Sequence, residues 1–461
     1  MSTNKIGLET HIQLNTKTKL FCGCSTKEAE PNSNCCEICL GHPGSKPMFN
    51  SKALHYCLKL CLALGCKIEK KIAFSRKTYF YPDMSKNFQI TQYEIPVGKN
   101  GMVKLPSGKK VEIERIHIEE DPAALLHDGS IAESKHVLID YNRAGLPLCE
   151  IVTSPCMESP AEAREFLKEL IRIIKYLHIF DEKSGTLKTD CNISTDNNPR
   201  VEIKNVSGFK DAERALNYEL LRQKMSIKNN KPIFQETRAW TEGKTISLRS
   251  KETEADYGYI IEPDLPVFNI TPAMLKKIKV PELAHIKAER YIKQFKLNPI
   301  DAEVMAMDIN LAKLFEKVAA EIDPRFAAMW LRKELLRVLN FNKKSVKDLK
   351  FSAEDIIELL TLVNDKTISE TTAQRIIEKM MVKKISPQSY IKKHNLEQIS
   401  SKTEIIEICK KIIKSNKKAL DDYRAGELKS FHYLVGQVMK VSKGKAEPGL
   451  VNKILKELVE K

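Results

Sequence analysis

The stretch Ile6-Gly7-Leu8-Glu9-Thr10-His11-Ile12-Gln13-Leu14-Asn15 alternates with a period of two: Ile6, Leu8, Ile12 and Leu14 share one face, Glu9, His11 and Gln13 the other. It predicts a half-buried strand that presents a carboxylate and an imidazole side by side. Three later segments repeat the device. In Val111 to Asp121 the apolar phase slips between Ile113 and Ile116, which predicts a bulge, after which His117 and Glu119 lie on the polar face and Glu119-Glu120-Asp121 close the strand. Leu146 to Val152 is an apolar run with Glu150 in its middle, and a carboxylate there needs a cation, donors or a metal to stay charged. Thr189 to Ser194 places Asp190, Asn192 and Ser194 on one face. Four strands thus offer acids.

Converging carboxylate oxygens with an imidazole suit a hard divalent ion such as magnesium or manganese better than zinc. Such ions usually serve phosphate chemistry, where positioning and charge stabilisation are most of the task. Standard nucleotide motifs are missing. Gly243-Lys244-Thr245 imitates the end of a P-loop, but Arg238 stands where its first glycine belongs. Basic residues interleave with the acids: Arg76, Lys77, Arg143, Arg200, Lys204, Arg238 and Arg249 sit in or beside predicted strands and turns, where a triphosphate or an RNA backbone finds charge-assisted donors.

Cys22-x-Cys24 and Cys36-x-x-Cys39, followed by Gly41 and Pro43-Gly44, have the spacing of two zinc knuckles in a loop near residues 20–44. Four thiolates close a tetrahedral site, so this zinc is expected to be structural. The remaining cysteines lie among apolar residues like small hydrophobes. A disulfide framework is disfavoured in a long chain without a signal peptide, which reads as cytoplasmic.

At 461 residues, 42% hydrophobic and with a net charge of +16, the chain is expected to bury a sizeable core, to divide into two to four domains and to meet a polyanion. No apolar run reaches the roughly 18 residues of a membrane span, which favours nucleic acid over lipid. Up to about residue 290, short strands alternate with a few helices. The clearest helix starts at Ser159-Pro160-Ala161-Glu162, a capping box with a core stripe of Phe166, Leu167, Leu170, Ile171, Ile174 and Leu177. From Pro299 to Asn395 the pattern is helical, with turns at Asp323-Pro324, Asn340 to Lys344 and Ser386-Pro387. Residues 401–461 carry 14 Lys and Arg against 8 Asp and Glu, a basic surface suited to RNA.

These residues, together with Arg76-Lys77-x-Tyr79-Phe80-Tyr81-Pro82-Asp83, Asn142-Arg143-x-Gly145-x-Pro147-Leu148-x-Glu150, Glu202-Ile203-Lys204-Asn205, Glu262-Pro263-Asp264-Leu265 and Leu434-Val435-Gly436-Gln437, closely resemble the B-type subunits of tRNA-dependent amidotransferases over nearly the whole chain. The resemblance implies an α+β fold: a mixed-sheet catalytic cradle over 1–292, an all-α helical domain over 293–400 and a small helical tail over 401–461 that meets tRNA. It implies an enzyme that uses ATP to activate the side-chain carboxylate of misacylated Glu-tRNA(Gln) or Asp-tRNA(Asn). Ammonia from glutamine hydrolysis in the amidotransferase's A-type glutaminase partner then displaces phosphate, with the small C-type partner bracing the pair.

Glu9, His11, Glu119, Glu120 and Glu150 match family positions of the magnesium and ATP site, with His11, Glu120 and Glu150 expected as direct ligands. Arg76, Lys77, Asp190, Arg143, Lys204 and Arg249 are expected to bind the nucleotide. The chain departs from the family at Ala124, Lys188 and Gly258, where a basic residue or an arginine is usual. The alternatives are a catalytically weak or non-catalytic tRNA-binding homologue on a zinc-stabilised cradle, and the archaeal glutamyl-specific E type. The continuous passage from Glu262-Pro263-Asp264 into the helical region argues against the inserted domain of the latter.

Overall fold

A computed structural model describes residues 3–127, 136–181, 187–250, 257–398, 402–442 and 445–459. The chain forms two compact units, Met1–Leu283 and Ala284–Lys461. The first is α+β and the second all-α.

In chain order the strands are β1 (Asn4–Gln13), β2 (Lys67–Ile68), β3 (Lys71–Ile72), β4 (Ser75–Thr78), β5 (Phe88–Thr91), β6 (Gly98–Lys104), β7 (Lys110–Glu120), β8 (Ala124–His127), β9 (Val137–Asp140), β10 (Pro147–Thr153), β11 (Leu187–Thr195), β12 (Val201–Ser207), β13 (Glu236–Thr241), β14 (Lys244–Ser250), β15 (Gly258–Ile261) and β16 (Phe268–Asn269). Nine of them form one mixed sheet in the order β14-β13-β12-β11-β1-β10-β7-β6-β2, and β15-β4-β5 form a smaller one. Only β12 and β13 pair in parallel within the large sheet.

The expected slip in β7 is a bulge. Val152 pairs with Arg115 and Thr153 with Ile113, so Glu114 is the extra residue. Gly243-Lys244-Thr245 belongs to the β13–β14 hairpin, whose turn residues Glu242 and Gly243 both have positive φ (50° and 79°), the signature of a type I′ turn rather than a phosphate loop.

Among the described residues the unit also holds helices α1 (Glu37–Leu40), α2 (Ser51–Ala63), α3 (Pro160–Leu177), α4 (Phe209–Lys228) and α5 (Pro272–Lys276). α2, α3 and α4 lie against the large sheet. They cover the apolar phase of its strands, where Ile6, Leu8, Ile12, Ile116, Ile118 and Cys149 are almost wholly buried. Each such aliphatic side chain contributes about 1.5–3 kcal/mol on leaving water. The opposite phase therefore carries the polar residues of four adjacent strands onto the other face.

In α3, Ser159 caps the helix by accepting from Glu162 N at 3.2 Å, with Pro160 in the first turn. The Glu162 carboxylate reaches Glu158 N at 2.9 Å, so the return arm of the box closes one residue before the cap. Ile173 is buried where the stripe named Ile171, which is half-buried. Ser159→Ala should lower the unfolding free energy by about 1 kcal/mol, read as a fall in urea midpoint at unchanged slope.

The helical unit begins with α6 (Ala284–Phe295). Lys287, Arg290 and Tyr291 of α6 all donate to Glu316 Oε1, at 2.6, 2.5 and 2.8 Å, and Tyr291 and Phe295 pack on Phe315. A boundary at 292/293 would cut this helix in two, so the division falls before it. One apolar core runs from Tyr291 to Ile391. A second, built on Ile405, Cys409, Leu434, Val438 and Leu455, belongs to the tail. The turns at Asp323-Pro324 and Ser386-Pro387 are helix starts, each with its Asp or Ser as N-cap.

Candidate active site

Strand register assembles the site. His11 stands opposite Glu150 on one side and Lys188 on the other, and Glu150 stands opposite His117, which makes a polar row across β11, β1, β10 and β7. His11 Nε2 lies 3.3 Å from Glu119 Oε1 and 3.4 Å from Glu150 Oε2. His117 Nε2 lies 2.9 Å from Glu150 Oε2 and 3.7 Å from Glu119 Oε2. Thr91 donates its hydroxyl to Glu119 Oε2 at 3.0 Å. Two imidazoles thus face two buried carboxylates.

Burial alone would lower both histidines, but Glu150 and then Glu119 outweigh it: His11 is held well above its usual value and His117 is lifted to about 9. The same contacts overcome burial at Glu119 and Glu150 and hold both below the usual carboxylate range.

A second acidic group lies on the same face. Glu9 pairs in register with Asp190, and their carboxylates converge with that of Glu202. Asn192 Nδ2 donates to Glu9 at 2.9 Å, Thr237 Oγ1 to Glu202 at 2.9 Å, and Lys204 Nζ to Asp190 at 2.8 Å. Both groups line one basin of about 1300 Å³, with Lys77, Lys188, Arg200 and Lys204 among its walls.

In each group the ligand atoms lie within 4.8 Å of one another. Oxygen-rich donor sets of this kind fit magnesium or manganese: His11, Glu119 and Glu150 in one, Glu9, Asp190 and Glu202 in the other.

Several expected residues are elsewhere. Glu120 continues the apolar phase of Ile116 and Ile118, so it points to the other side of β7 from Glu119. There it accepts from Lys86 Nζ at 2.5 Å and Ile90 N at 2.8 Å and lines a separate cavity of about 200 Å³. It is not a ligand beside His11 and Glu150.

Arg76, one residue out of phase with Lys77, faces that same cavity and forms a two-pronged pair with buried Glu262 at 2.7 and 2.9 Å. Arg143 donates to the carbonyls of Pro122 and Ala123 and sits 3.5 Å from Asp121, so it staples the loop after β7. Arg249 of β14 pairs through its backbone with Thr237 of β13, and its side chain lies outside the described residues.

Removing the partner of a buried charge is costly. Glu262→Gln should destabilise the chain toward the lower end of about 3–5 kcal/mol, because the Arg76 side chain keeps a quarter of its surface in water. Denaturant unfolding measures it.

His117, Glu202, Thr91 and Lys188 were not among the expected ligands or binding residues. Alternation already placed His117 beside Glu119, and Glu202 entered only within the stretch Glu202-Ile203-Lys204-Asn205 that carries the resemblance. Thr91 enters only through the pairing of distant segments.

The four cysteines of the knuckle pattern come together. All four sulfurs lie within 4.8 Å of one another. Cys36 and Cys39 are 3.7 Å apart, close to the roughly 3.8 Å that a tetrahedral ion with 2.3 Å bonds to sulfur sets. Cys36 N donates to Cys39 Sγ at 3.1 Å, and the fully buried Lys19 places Nζ 3.6 Å from it. The bond from Cys22, with that amide and Lys19, holds the Cys39 thiol well below its ordinary value. The set fits a closed zinc site. Gly41, which ends α1 at φ 71°, is needed there: a Cβ would meet Lys86 Cγ at 2.3 Å. All twelve cysteines are free of disulfides.

Residues 4–276 match the family described as the GatB/GatE catalytic domain and residues 313–459 the GatB domain. The chain is 42% identical to the B-type subunit of the aspartyl/glutamyl-tRNA(Asn/Gln) amidotransferase of Methanospirillum hungatei, over 99% of this chain and 98% of that protein. It is 42% identical to the corresponding protein of Methanothermobacter thermautotrophicus, over 99% and 100%, and 40% identical to that of Carboxydothermus hydrogenoformans, over 99% and 98%. No helix among the described residues is long and apolar enough to cross a membrane.

Proposed function

This chain belongs to the family of B-type subunits of aspartyl/glutamyl-tRNA(Asn/Gln) amidotransferases, and on that premise we propose that it is the component that amidates misacylated tRNA with the help of ATP. The substrates are Glu-tRNA(Gln), Asp-tRNA(Asn) or both. The side-chain carboxylate takes the γ-phosphoryl group of ATP, and ammonia then displaces phosphate to leave an amide. In this reading the chain works in the cytoplasm with an A-type glutaminase partner, which supplies the ammonia, and a small C-type partner.

The observation that carries the reading is the meeting of two carboxylate groups, His11-Glu119-Glu150 and Glu9-Asp190-Glu202, in one basin lined by cations. Magnesium held there would supply neutralisation of phosphate oxygens and of the attacking carboxylate. The chain's own groups do the rest. His117 and Thr91 fix Glu150 and Glu119, and Asn192 and Thr237 fix Glu9 and Glu202, so the ligands are oriented before substrate arrives. Lys77 and Lys188 offer charge to phosphate oxygens. Lys188 sits opposite His11 and keeps a cation at a position where the family usually has arginine.

The basin exceeds the roughly 300–1000 Å³ of a pocket for one small ligand, as a site for two substrates requires. The cysteine group would hold a structural zinc, and the basic tail would meet the body of the tRNA.

The test is amidation by the assembled heterotrimer with ATP and magnesium, using both misacylated tRNAs side by side. Amide-bearing aminoacyl-tRNA from at least one is expected. Tight tRNA binding without amide from either would favour the non-catalytic alternative and end this reading.

A further inference from the structure

We infer that the tyrosines along one wall of the basin form a platform on which an adenine ring stacks, an inference that rests on the amidation reading above. The wall is built by the small sheet β15-β4-β5. Tyr259 of β15 pairs with Lys77 of β4, and Lys77 with Gln89 of β5, so these three side chains share a face. All three line the basin, whereas Arg76 and Ile90, one residue out of phase, line the smaller cavity.

Tyr93, just beyond β5, stacks on Tyr259 with ring centroids 4.2 Å apart and planes 17° from parallel. Tyr257 meets Tyr259 edge-on at 6.4 Å, and Tyr79 meets Tyr257 at 6.2 Å. All four tyrosines line the basin. A core tyrosine is covered by its neighbours, but Tyr93 keeps 39% of its surface exposed. A stacked aromatic pair beside an open polar cavity takes a further planar ring in the same column by offset stacking.

Charge identifies the ring's class. Lys77 Nζ sits 4.5 Å from the Tyr257 ring centroid, a cation placed beside the aromatic wall. Thr91, two residues before Tyr93, holds Glu119 of the carboxylate group. One segment therefore joins a π surface to a phosphate-directed metal group, the layout that a nucleotide's base and phosphates need. Both substrates of the proposed reaction carry adenine: ATP, and tRNA in its 3′-terminal adenosine. Stacking reads the π face and serves either, so the shared chemistry is the adenine ring.

Two fluorescent probes separate the sources: 2-aminopurine riboside triphosphate, and a tRNA with 2-aminopurine at its 3′-terminal position. Each is titrated into the assembled complex. Stacking quenches the fluorophore, so quenching of either probe, or of both, is expected and names the source. In Tyr93→Ala the dissociation constant of the quenched probe should rise by about 5- to 140-fold, and Tyr93→Phe should restore it, because the ring and not the hydroxyl does the stacking.

Melting temperatures of both variants within a few degrees of wild type establish that they fold. Tyr259→Ala, which removes the second ring of the column, should weaken the same probe. No quenching of either probe, or Tyr93→Ala binding as tightly as wild type, overturns the platform, and so does Tyr93→Phe remaining as weak as Tyr93→Ala. The titration needs no turnover. A complex that quenches but makes no amide defeats the amidation reading alone, and one that makes amide with unaltered Tyr93→Ala affinities defeats the platform alone.

Discussion

Glu150→Gln should leave the assembled complex unable to amidate either misacylated tRNA, with a fall in rate well beyond the roughly 10- to 100-fold that loss of an outer partner of a metal ligand costs. The substitution keeps the shape and removes the charge of the carboxylate that stands between the two imidazoles in register, at 3.4 Å from His11 and 2.9 Å from His117. A divalent ion in this group would lose an anionic ligand, and the two histidines would lose the charge that holds them above their ordinary value. His11→Ala should act in the same direction by removing the nitrogen donor.

Binding of tRNA, which spreads over many phosphate contacts, should change by less than about threefold, so filter retention of tRNA serves as the control. Glu120→Gln is the contrast: it faces Lys86 across the other side of β7, so manganese affinity should be unchanged. Activity in Glu150→Gln within tenfold of wild type, or a loss of manganese binding in Glu120→Gln, would overturn the assignment.

The same histidines set a pH dependence. A metal ligand nitrogen must be unprotonated, and His11 is held protonated above its ordinary range by Glu150 and Glu119 against the effect of burial. Ion binding therefore competes with a proton. Apparent manganese affinity should rise with pH above neutrality, with about one proton released per ion, measured by titration calorimetry in buffers of different ionisation heat.

The stability of the ion-free protein runs the other way. His117 moves from 6.5 to about 9 on folding, so its contribution is complete below 6.5 and disappears as pH rises toward 9. Melting temperatures in chelator should fall across that window, and saturating magnesium should flatten the fall.

Much of the fold was legible because strand alternation is local. The β1 pattern, the slip in β7 and the isolated charge at Glu150 each show in a few consecutive residues, and the paired strands repeat them. The same rule separates Glu119 from Glu120 and Lys77 from Arg76. A run of acids or bases hides that rule, since neighbours in sequence leave a strand on opposite faces.

What could not be read was whatever depended on distant partners. Thr91 reaches Glu119 only because β5 lies beside β7. Tyr93 meets Tyr259 across more than 160 residues of chain. Arg143 carries a motif suited to phosphate, yet its donors go to two carbonyls brought near by the loop after β7. The division ahead of α6 is hidden for a similar reason: that helix shows no break in pattern, and only its packing on Phe315 and Glu316 assigns it to the helical unit.

Cys36→Ser should release one zinc ion per chain and loosen the surrounding loop so far that Cys22–Gly44 becomes open to protease under native conditions. Among the described residues this segment has little regular structure of its own: one bridge, Thr18 to Ser25, and the four-residue α1. Its sulfurs converge instead, and a structural zinc in small peptides contributes about 10–16 kcal/mol to folding. Much of that is dissipated here in ordering the loop, but what remains exceeds anything the bridge supplies.

Lys19 is the internal evidence for charge at this place. Fully buried, it directs Nζ to the carbonyls of Asn34 and Tyr141 and to Cys39 Sγ. A buried ammonium needs anions, and thiolates bound to an ion meet that need. Metal analysis of the purified complex should find about one zinc per chain in wild type and none in Cys36→Ser. Magnesium-dependent ion binding at His11, Glu119 and Glu150 should survive in any fraction that remains folded, because those ligands stand on strands of the large sheet. Absence of zinc from wild type, or an unchanged protease pattern in Cys36→Ser, would show that four reduced thiols hold the loop unaided.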